Sequence, residues 1–506
     1  MWVRDRIFTI LLKSTLCLFL AVVAAPVLKA QGFQGDSIVT IPGRPGIYRL
    51  IGHVKIVHAG NTILSHFADY EQATGSCQAY GDLRIRTRDG VRITGDVLDY
   101  NGRTGSYVVD GNVVLNDGQM TMKTPSLRFE GRDNTAHYTQ GGEMISGQTT
   151  MTSRSGYYEG KKELFHCFGD VVIVNPDYTI WTDTLHYSQT SVTQFQGNTN
   201  IETTSYYMFG RKGWFDQEGE RVSLQHDAYV KNRQSQILYG DSIYYNLALQ
   251  EGQAFRNVLL LDTARGCCIR SEYARNSETD GEALFTQSPH GLMIEGDTIF
   301  VSGDTLYMTY DSTRTMKEIF AYHHVKIFRE DMQAVCDSLV YHHRDSIMYM
   351  YREPMLWLQD YQLDADTVML WLSDNKPYKA LARNNVFIVS EVSASQGYYN
   401  QVKGLLMWGY FDDSAHFRTA HVHTKAQSIY YVLDDDNALI GVNKTESQSL
   451  KMYFLNNEIE GVNLIKPVSS TLFRVEDLTQ RQRLLQGFRW KPFRRPRSKF
   501  DLSEKW

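Results

Sequence analysis

The 506-residue sequence is short of proline, carries almost no net charge and lacks a pairable set of cysteines. Prolines number only 11, against 31 tyrosines, 23 phenylalanines and 38 glycines, a mix that suits long strands joined by tight turns. A formal net charge of -5 gives no overall electrostatic case for nucleic acid. Of the six cysteines, Cys17 falls in an apolar leader; Cys77, Cys167, Cys267, Cys268 and Cys336 remain. An odd number with one adjacent pair is no disulfide framework, and Cys267-Cys268 reads as two thiols rather than a strained vicinal bridge. Beyond the leader no segment is apolar enough to span a bilayer as a helix. There is no nucleophile elbow, P-loop or dinucleotide fingerprint. No enzyme activity, cofactor or metal is expected.

Residues 1–30 read as a secretory signal peptide. Arg4, Arg6 and Lys13 precede an apolar run from Leu16 to Val23, and Leu28-Lys29-Ala30 offers a cleavage site before Gln31. The run is well short of the roughly 20 residues that span a membrane, which favours cleavage over a retained anchor. The mature chain is therefore expected in an exported compartment.

What is present in abundance is a repeat. Gly, then Asn, Asp or His, then alternating apolar residues, recurs at Gly52-His-Val-Lys-Ile, Gly81-Asp-Leu-Arg-Ile, Gly111-Asn-Val-Val-Leu, Gly169-Asp-Val-Val-Ile and Gly197-Asn-Thr-Asn-Ile. Weaker copies start at Arg256, His323 and Asn384. A second element, Asp-x-apolar-x-aromatic, follows each copy, as in Asp96-Val-Leu-Asp-Tyr100, Asp183-Thr-Leu-His-Tyr187, Asp241-Ser-Ile-Tyr-Tyr245 and Asp337-Ser-Leu-Val-Tyr341. The closing residues Tyr100, Phe129, Tyr158, Tyr187, Phe215 and Tyr245 are separated by 29, 29, 29, 28 and 30 residues. Such regularity is the mark of a repeat architecture.

Alternation with period two puts one face of each strand against a core. The glycine allows positive φ, so the chain is expected to reverse there, helped by the neighbouring Asn or Asp. In Asp-x-Leu-x-Tyr the three named residues share a face. An unpartnered buried carboxylate is too costly, so each Asp belongs at a strand start or bend, bonded to backbone. A residue recurring at one structural position is architectural rather than catalytic.

The alternation of Gly-Asn-Val runs with Asp-x-Leu-x-Tyr, behind a signal peptide, resembles the OstA family of lipopolysaccharide-transport proteins. The resemblance is best from Leu50 to Asn246 and returns in degraded form from Gly296 to Val432. It implies an all-β protein, an elongated folded-over β-jellyroll with two sheets about an apolar interior. That interior cradles the acyl chains of lipid A while the sugars stay outside. It also implies a periplasmic location, associated with the inner or outer membrane. Partners of the LptC and LptD type, or further copies, would join through edge strands. The family carries out no bond chemistry. The expected lipid-lining residues are Val54, Ile56, Leu83, Ile85, Leu98, Tyr100, Val113, Leu115, Leu127, Phe129, Val171, Ile173, Leu185, Tyr187, Ile243 and Tyr245. A structural or adhesive β-solenoid and a polysaccharide-active β-helix enzyme are the rival readings. The enzyme would need a carboxylate cluster apart from the repeat's own Asp.

The chain departs from that family in its length and in its tail. The expected divisions are a jellyroll over 31–256, an irregular junction over 257–296, and degraded repeats over 297–470, either continuing or forming a second jellyroll. A basic tail over 471–506 follows, with a short capping helix suggested by Val475, Leu478, Leu484 and Leu485. In it, Arg489, Arg494, Arg495 and Arg497 are candidates for phosphate or partner contact, since guanidinium binds phosphate bidentately. His421 and His423 share a strand face at a metal-binding spacing, but no cysteine or carboxylate cluster joins them. They, His323-His324 and His342-His343 read as surface or turn residues. Asp434-Asp-Asp-Asn437 reads as an acidic turn between strands rather than a calcium loop.

Overall fold

The computed structural model describes residues 32–503, apart from 160–161, 163, 189–191, 217–219, 234, 264–265, 294–297, 314, 393–396, 415, 435, 437 and 456–457. Residues 1–30, expected to be a signal peptide, and the expected cleavage site lie outside the described residues. Among the described residues there are 35 strands, four short 3-10 segments and no α-helix. The fold is all-β, as the alternation implied. The chain divides into two compact units, one ending at Asn134 and the other beginning at Thr135.

The first unit is an antiparallel meander of Ile47–His58, Asn61–Glu71, Ser76–Arg86, Arg92–Asn101, Ser106–Asn116 and Met120–Glu130, each strand paired with the next. The pairing shifts register in mid-strand, between Ile51 and Val54, Tyr80 and Leu83, and Thr94 and Val97. At these breaks sit the sequence dipeptides. Gly52 and His53 have φ of 71° and 40°, Gly81 and Asp82 79° and 49°, Gly111 and Asn112 78° and 47°. Two successive left-handed residues make a sharp bulge that bends the strand and rotates its side chains without ending the ladder. The first half of each strand therefore lies in one leaf and the second half in the other. This is a folded-over β-jellyroll with a spine of corners. The short strands Gly32–Gln34 and Ser37–Thr40 pair with the two halves of Ile47–His58.

The position of the glycine dipeptides corrects one expectation. They bend the chain within a strand and do not reverse it. Reversal falls to separate turns, such as those ending at Gly75 and Gly105, both at φ 72°. Both jobs need positive φ, so both carry the same residues.

The second unit repeats the plan. Leu164–Asn175, Tyr178–Ser188, Thr193–Thr203, Tyr206–Asp216, Arg221–Asn232, Gln236–Asn246, Glu251–Asp262 and Cys267–Ser277 pair in series with a mid-strand shift in each ladder. The described residues between 257 and 293 run on in this unit as strands of the same pattern. Their spacing looks irregular because the corners there are Arg256-Asn257 and Gln287-Ser288, positive in φ but without glycine. Some strands are cut in two at the corner: Ile347–Tyr351 and Met355–Leu358 both pair with Met332–His342. The last strands, Lys376–Glu391, Tyr399–Phe411, Phe417–Leu433, Leu439–Leu455 and Glu458–Phe473, are longer.

The repeated Asp sits at the bend, where it binds the corner of a neighbouring strand. Asn112 Nδ2 donates to Asp96 at 3.0 Å, Asn257 Nδ2 to Asp241 at 3.0 Å and Asn385 Nδ2 to Asp366 at 3.0 Å. His53 Nδ1 lies 2.7 Å from Asp36, His323 Nδ1 3.2 Å from Asp337 and His324 Nδ1 2.9 Å from Asp304. Most of these partners are corner side chains; Asp183 instead accepts the Asn198 backbone amide, at 3.0 Å. These bonds account for both the Asp of one element and the Asn or His of the other.

Candidate functional site

The inner faces of the two leaves form the candidate site. In the first unit Val54, Ile56, Leu83, Ile85, Leu98, Tyr100, Val113 and Leu127 are buried between the leaves. In the second unit so are Val171, Ile173, Leu185, Ile243 and Tyr245. Leu115, Phe129 and Tyr187 point the same way but are only half-buried. Outward neighbours such as Lys55, Arg84 and Lys123 are exposed. The interior is thus apolar along the strand centres.

Opposite the spine, the free ends of the two leaves meet along a seam. Of the aromatic residues that close the 29-residue period, Tyr100, Phe215 and Tyr245 stand at first-leaf ends and meet partners from the second leaf. In the first unit His58 Nδ1 lies 2.8 Å from the Tyr100 hydroxyl, and Phe33 stacks on Tyr48 and Tyr70 at 5.6 and 4.7 Å between centroids. In the second unit Tyr178 meets Phe215 edge-on at 4.9 Å. Further along, the Tyr206 and Tyr245 hydroxyls lie 2.8 Å apart and at 2.8 and 3.0 Å from Glu278 Oε1. A cavity of about 90 Å³ opens beside that cluster, lined by Val230, Leu238, Leu260 and Phe285. His58, Tyr206 and Glu278 carry no sequence signature of these roles, because the roles come from ends of different strands. The one signal available was the polar residue at a strand end facing an aromatic period.

Burial lowers the His58 pKa below its usual 6.5, so the neutral ring is the one the fold accepts. The unfolded chain then binds the extra proton first as pH falls through 6.5, and stability is lost in that window. His166 and His421 are shifted the same way, also chiefly by burial. Urea unfolding of the wild-type chain is expected to shift to lower urea on going from pH 7.5 to 5.5. His58→Phe is expected to show a smaller drop; an unchanged drop would remove His58 from this account.

All five cysteines outside the leader are thiols. Burial pushes the Cys77 thiol up to about 12 and Cys336 higher still, so both are unreactive.

The basic tail is a strap. After Phe473 the chain turns back across the outer face of the second leaf within the second unit. Val475–Asp477 and Gln480–Arg483 are 3-10 turns, and Val475 and Leu478 join Val392, Ile429, Tyr431 and Val442 in one apolar cluster. Two buried glutamines of the sheet then hold the strap's backbone. Gln401 accepts the Leu485 amide at 2.8 Å and donates to the Arg483 carbonyl at 2.9 Å. Gln362 accepts the Lys491 amide at 2.9 Å and donates to the Arg489 carbonyl at 2.8 Å. A third, Gln333, accepts from Arg495 Nε at 2.7 Å, and Lys326 Nζ donates to the Asp501 carbonyl at 2.8 Å. Beneath the strap the outward row is apolar and buried: Val335, Met355, Trp357, Phe387 and Val389. Burial pushes the Asp364 carboxyl up to about 6, against the pull of Arg489, Lys491 and Arg494.

The four arginines singled out in the tail therefore differ. Arg495 is used in docking the strap, with a second bond to the Gln359 carbonyl at 2.8 Å. Arg494 is half-buried, and Arg489 lies 3.5 Å from Glu353. Arg497 is exposed. Elsewhere His421 and His423 stack at 3.6 Å, and His323-His324 form a corner.

Comparison with known proteins agrees with this architecture in part of the chain. Residues 39–183 match the model of the family described as OstA-like protein. A solved structure from Pseudomonas aeruginosa, LptH, the LptA homologous periplasmic component of the lipopolysaccharide transport device, is similar at 13% identity. The match covers 33% of this chain and 82% of that one, with a TM-score of 0.11, too low to carry an argument. No curated protein matches. Among the described residues no helix is long and apolar enough to cross a membrane.

Proposed function

We propose that this protein is a periplasmic carrier that shelters the acyl chains of lipopolysaccharide between its leaves on the way to the outer membrane. The observation that carries the reading is the apolar interior of a folded-over jellyroll, closed by a seam of side-chain pairs rather than by backbone. Among the described residues backbone pairing joins the leaves only along the spine, so a ligand can enter by parting contacts such as His58–Tyr100. Acyl chains gain from apolar burial in proportion to area, while phosphates and sugars remain in water outside. The chain performs no bond chemistry in this reading and needs no cofactor.

Partners of the LptC and LptD type, or a further copy, would add strands at the edges. Glu458–Phe473 pairs with Leu439–Leu455 on one side and has no strand on its other side among the described residues. Val462, Ile465, Val468 and Leu472 on it are exposed.

The test is photo-crosslinking in cells from probes at Leu98 and Leu127, with Arg84 as the outward control. Lipopolysaccharide adducts are expected from the two inward positions and not from Arg84. Absence of adducts at every inward position rejects the carrier reading and leaves a dry structural β-protein.

A further inference from the structure

The strap presents a second surface, facing away from the sheet it covers. From Arg489 to Phe500 the sequence RWKPFRRPRSKF holds six basic residues and no acidic one, in a chain of net charge -5. Phe493 and Phe500 on it are each 75% exposed, more than any other large apolar side chain described. Phe493 lies within this basic run and Phe500 ends it, and neither is a consequence of looseness. Ser498 and Asp501 lock the turn that carries Phe500: the Asp501 carboxylate accepts the Arg497 amide at 2.7 Å, the Ser498 amide at 3.2 Å and the Ser498 hydroxyl at 2.8 Å. Lys326 fixes the same turn to the sheet, and Leu502 is buried behind it. Phe493 opens outward from the short 3-10 segment Pro492–Arg494, where proline limits the backbone. The protein thus holds two large apolar side chains rigidly in water.

Beside Phe500 lies an open depression of about 610 Å³. Its walls include Phe300, Phe328, Arg497 and Lys499, together with Glu330 and an Asp331 that is already paired with Arg329 Nε at 2.7 Å. Lys499 Nζ stands 5.7 Å from the Phe300 ring and 5.4 Å from the Phe500 ring.

We infer that the outward face of the strap docks on an anionic phospholipid bilayer, with Phe493 and Phe500 entering the headgroup layer and Arg497 and Lys499 meeting lipid phosphates. Protruding aromatics flanked by basic residues match the chemistry of that layer, which is apolar on one side and negatively charged on the other. An acidic protein surface would satisfy the charges but would not call for two separate, rigid, projecting rings. The inference stands apart from the carrier reading: it concerns where the protein sits, not what its interior holds.

Vesicle co-sedimentation of the full mature chain tests it. The wild type is expected to bind phosphatidylethanolamine–phosphatidylglycerol vesicles, to ignore pure phosphatidylcholine vesicles and to be released by salt. Phe493→Ser with Phe500→Ser is expected to weaken binding at least about ten-fold. Arg497→Gln with Lys499→Gln is expected to weaken it about five-fold per charge. The urea midpoints of all variants should stay at the wild-type value, since the altered side chains face water. A wild type that does not bind anionic vesicles overturns the inference, as do double variants that bind like wild type. So does a strap that binds polyglutamate through these four side chains while ignoring the vesicles. Inward crosslinks at Leu98 and Leu127 should persist in the strap variants, so the two readings fail separately.

Discussion

Replacing Gln362 and Gln401 together by leucine is expected to release the strap and to destabilise the second unit by about 4 kcal/mol. Each glutamine satisfies one amide and one carbonyl of the strap, as a neighbouring strand would. Leucine keeps the volume and removes both bonds, and each polar group left without a partner costs about 1–3 kcal/mol. Both glutamines are fully buried, so water does not replace them while the strap stays down. Once the strap lifts, Val335, Met355, Trp357, Phe387 and Val389 face solvent. Limited proteolysis should then cut between Arg483 and Lys491, and a dye that binds exposed apolar surface should bind. A double variant that resists cleavage like the wild type would show that the apolar contacts alone hold the strap.

An equally large loss is expected at the spine from Gly111→Val, about 3 kcal/mol or more. Gly111 sits at φ 78°, where a β-branched residue is strained, and a Cβ there would run into the Asp96 carboxylate. That carboxylate holds Asn112 Nδ2 at 3.0 Å, so the corner bond goes with it. Gly118, at φ 100° with nothing near its would-be Cβ, is the matched control and carries only the backbone strain. Urea unfolding should separate the two; equal midpoints for the Gly111 and Gly118 valine variants would falsify the steric part of the account.

Much of this was legible in the residues. Alternation identified the inner face, and Val54, Leu98, Leu127 and Val171 are among the most buried side chains. The period of the closing aromatics marked what proves to be the seam. The corners were legible as positions but not as roles, since a bulge and a hairpin turn both ask for Gly, Asn or Asp at positive φ. The strap was visible as charge and as the apolar set Val475, Leu478, Leu484 and Leu485, which suggested a capping helix where the chain forms 3-10 turns instead. Its 3-10 turns have no hydrophobic period, and its clamps are single glutamines on strands about 80 to 130 positions away in sequence. Leu115 and Phe129 lie on the face that alternation assigns them, but alternation does not report how deeply each side chain is covered.

The paired corners have a consequence for how such a chain finds its fold. Neighbouring strands are alike in length and pattern, and a chain of this kind is prone to pairing the wrong neighbours or the right ones out of step. A slip of one residue would turn inward side chains outward in both leaves at once. It would also take each corner away from the Asp that receives it. The chemistry changes from one corner to the next: histidine meets Asp36, asparagine meets Asp96, and two histidines in succession meet Asp337 and Asp304. The bends therefore act as alignment marks, and the assembly of a long repetitive protein is proofread at each of these corners.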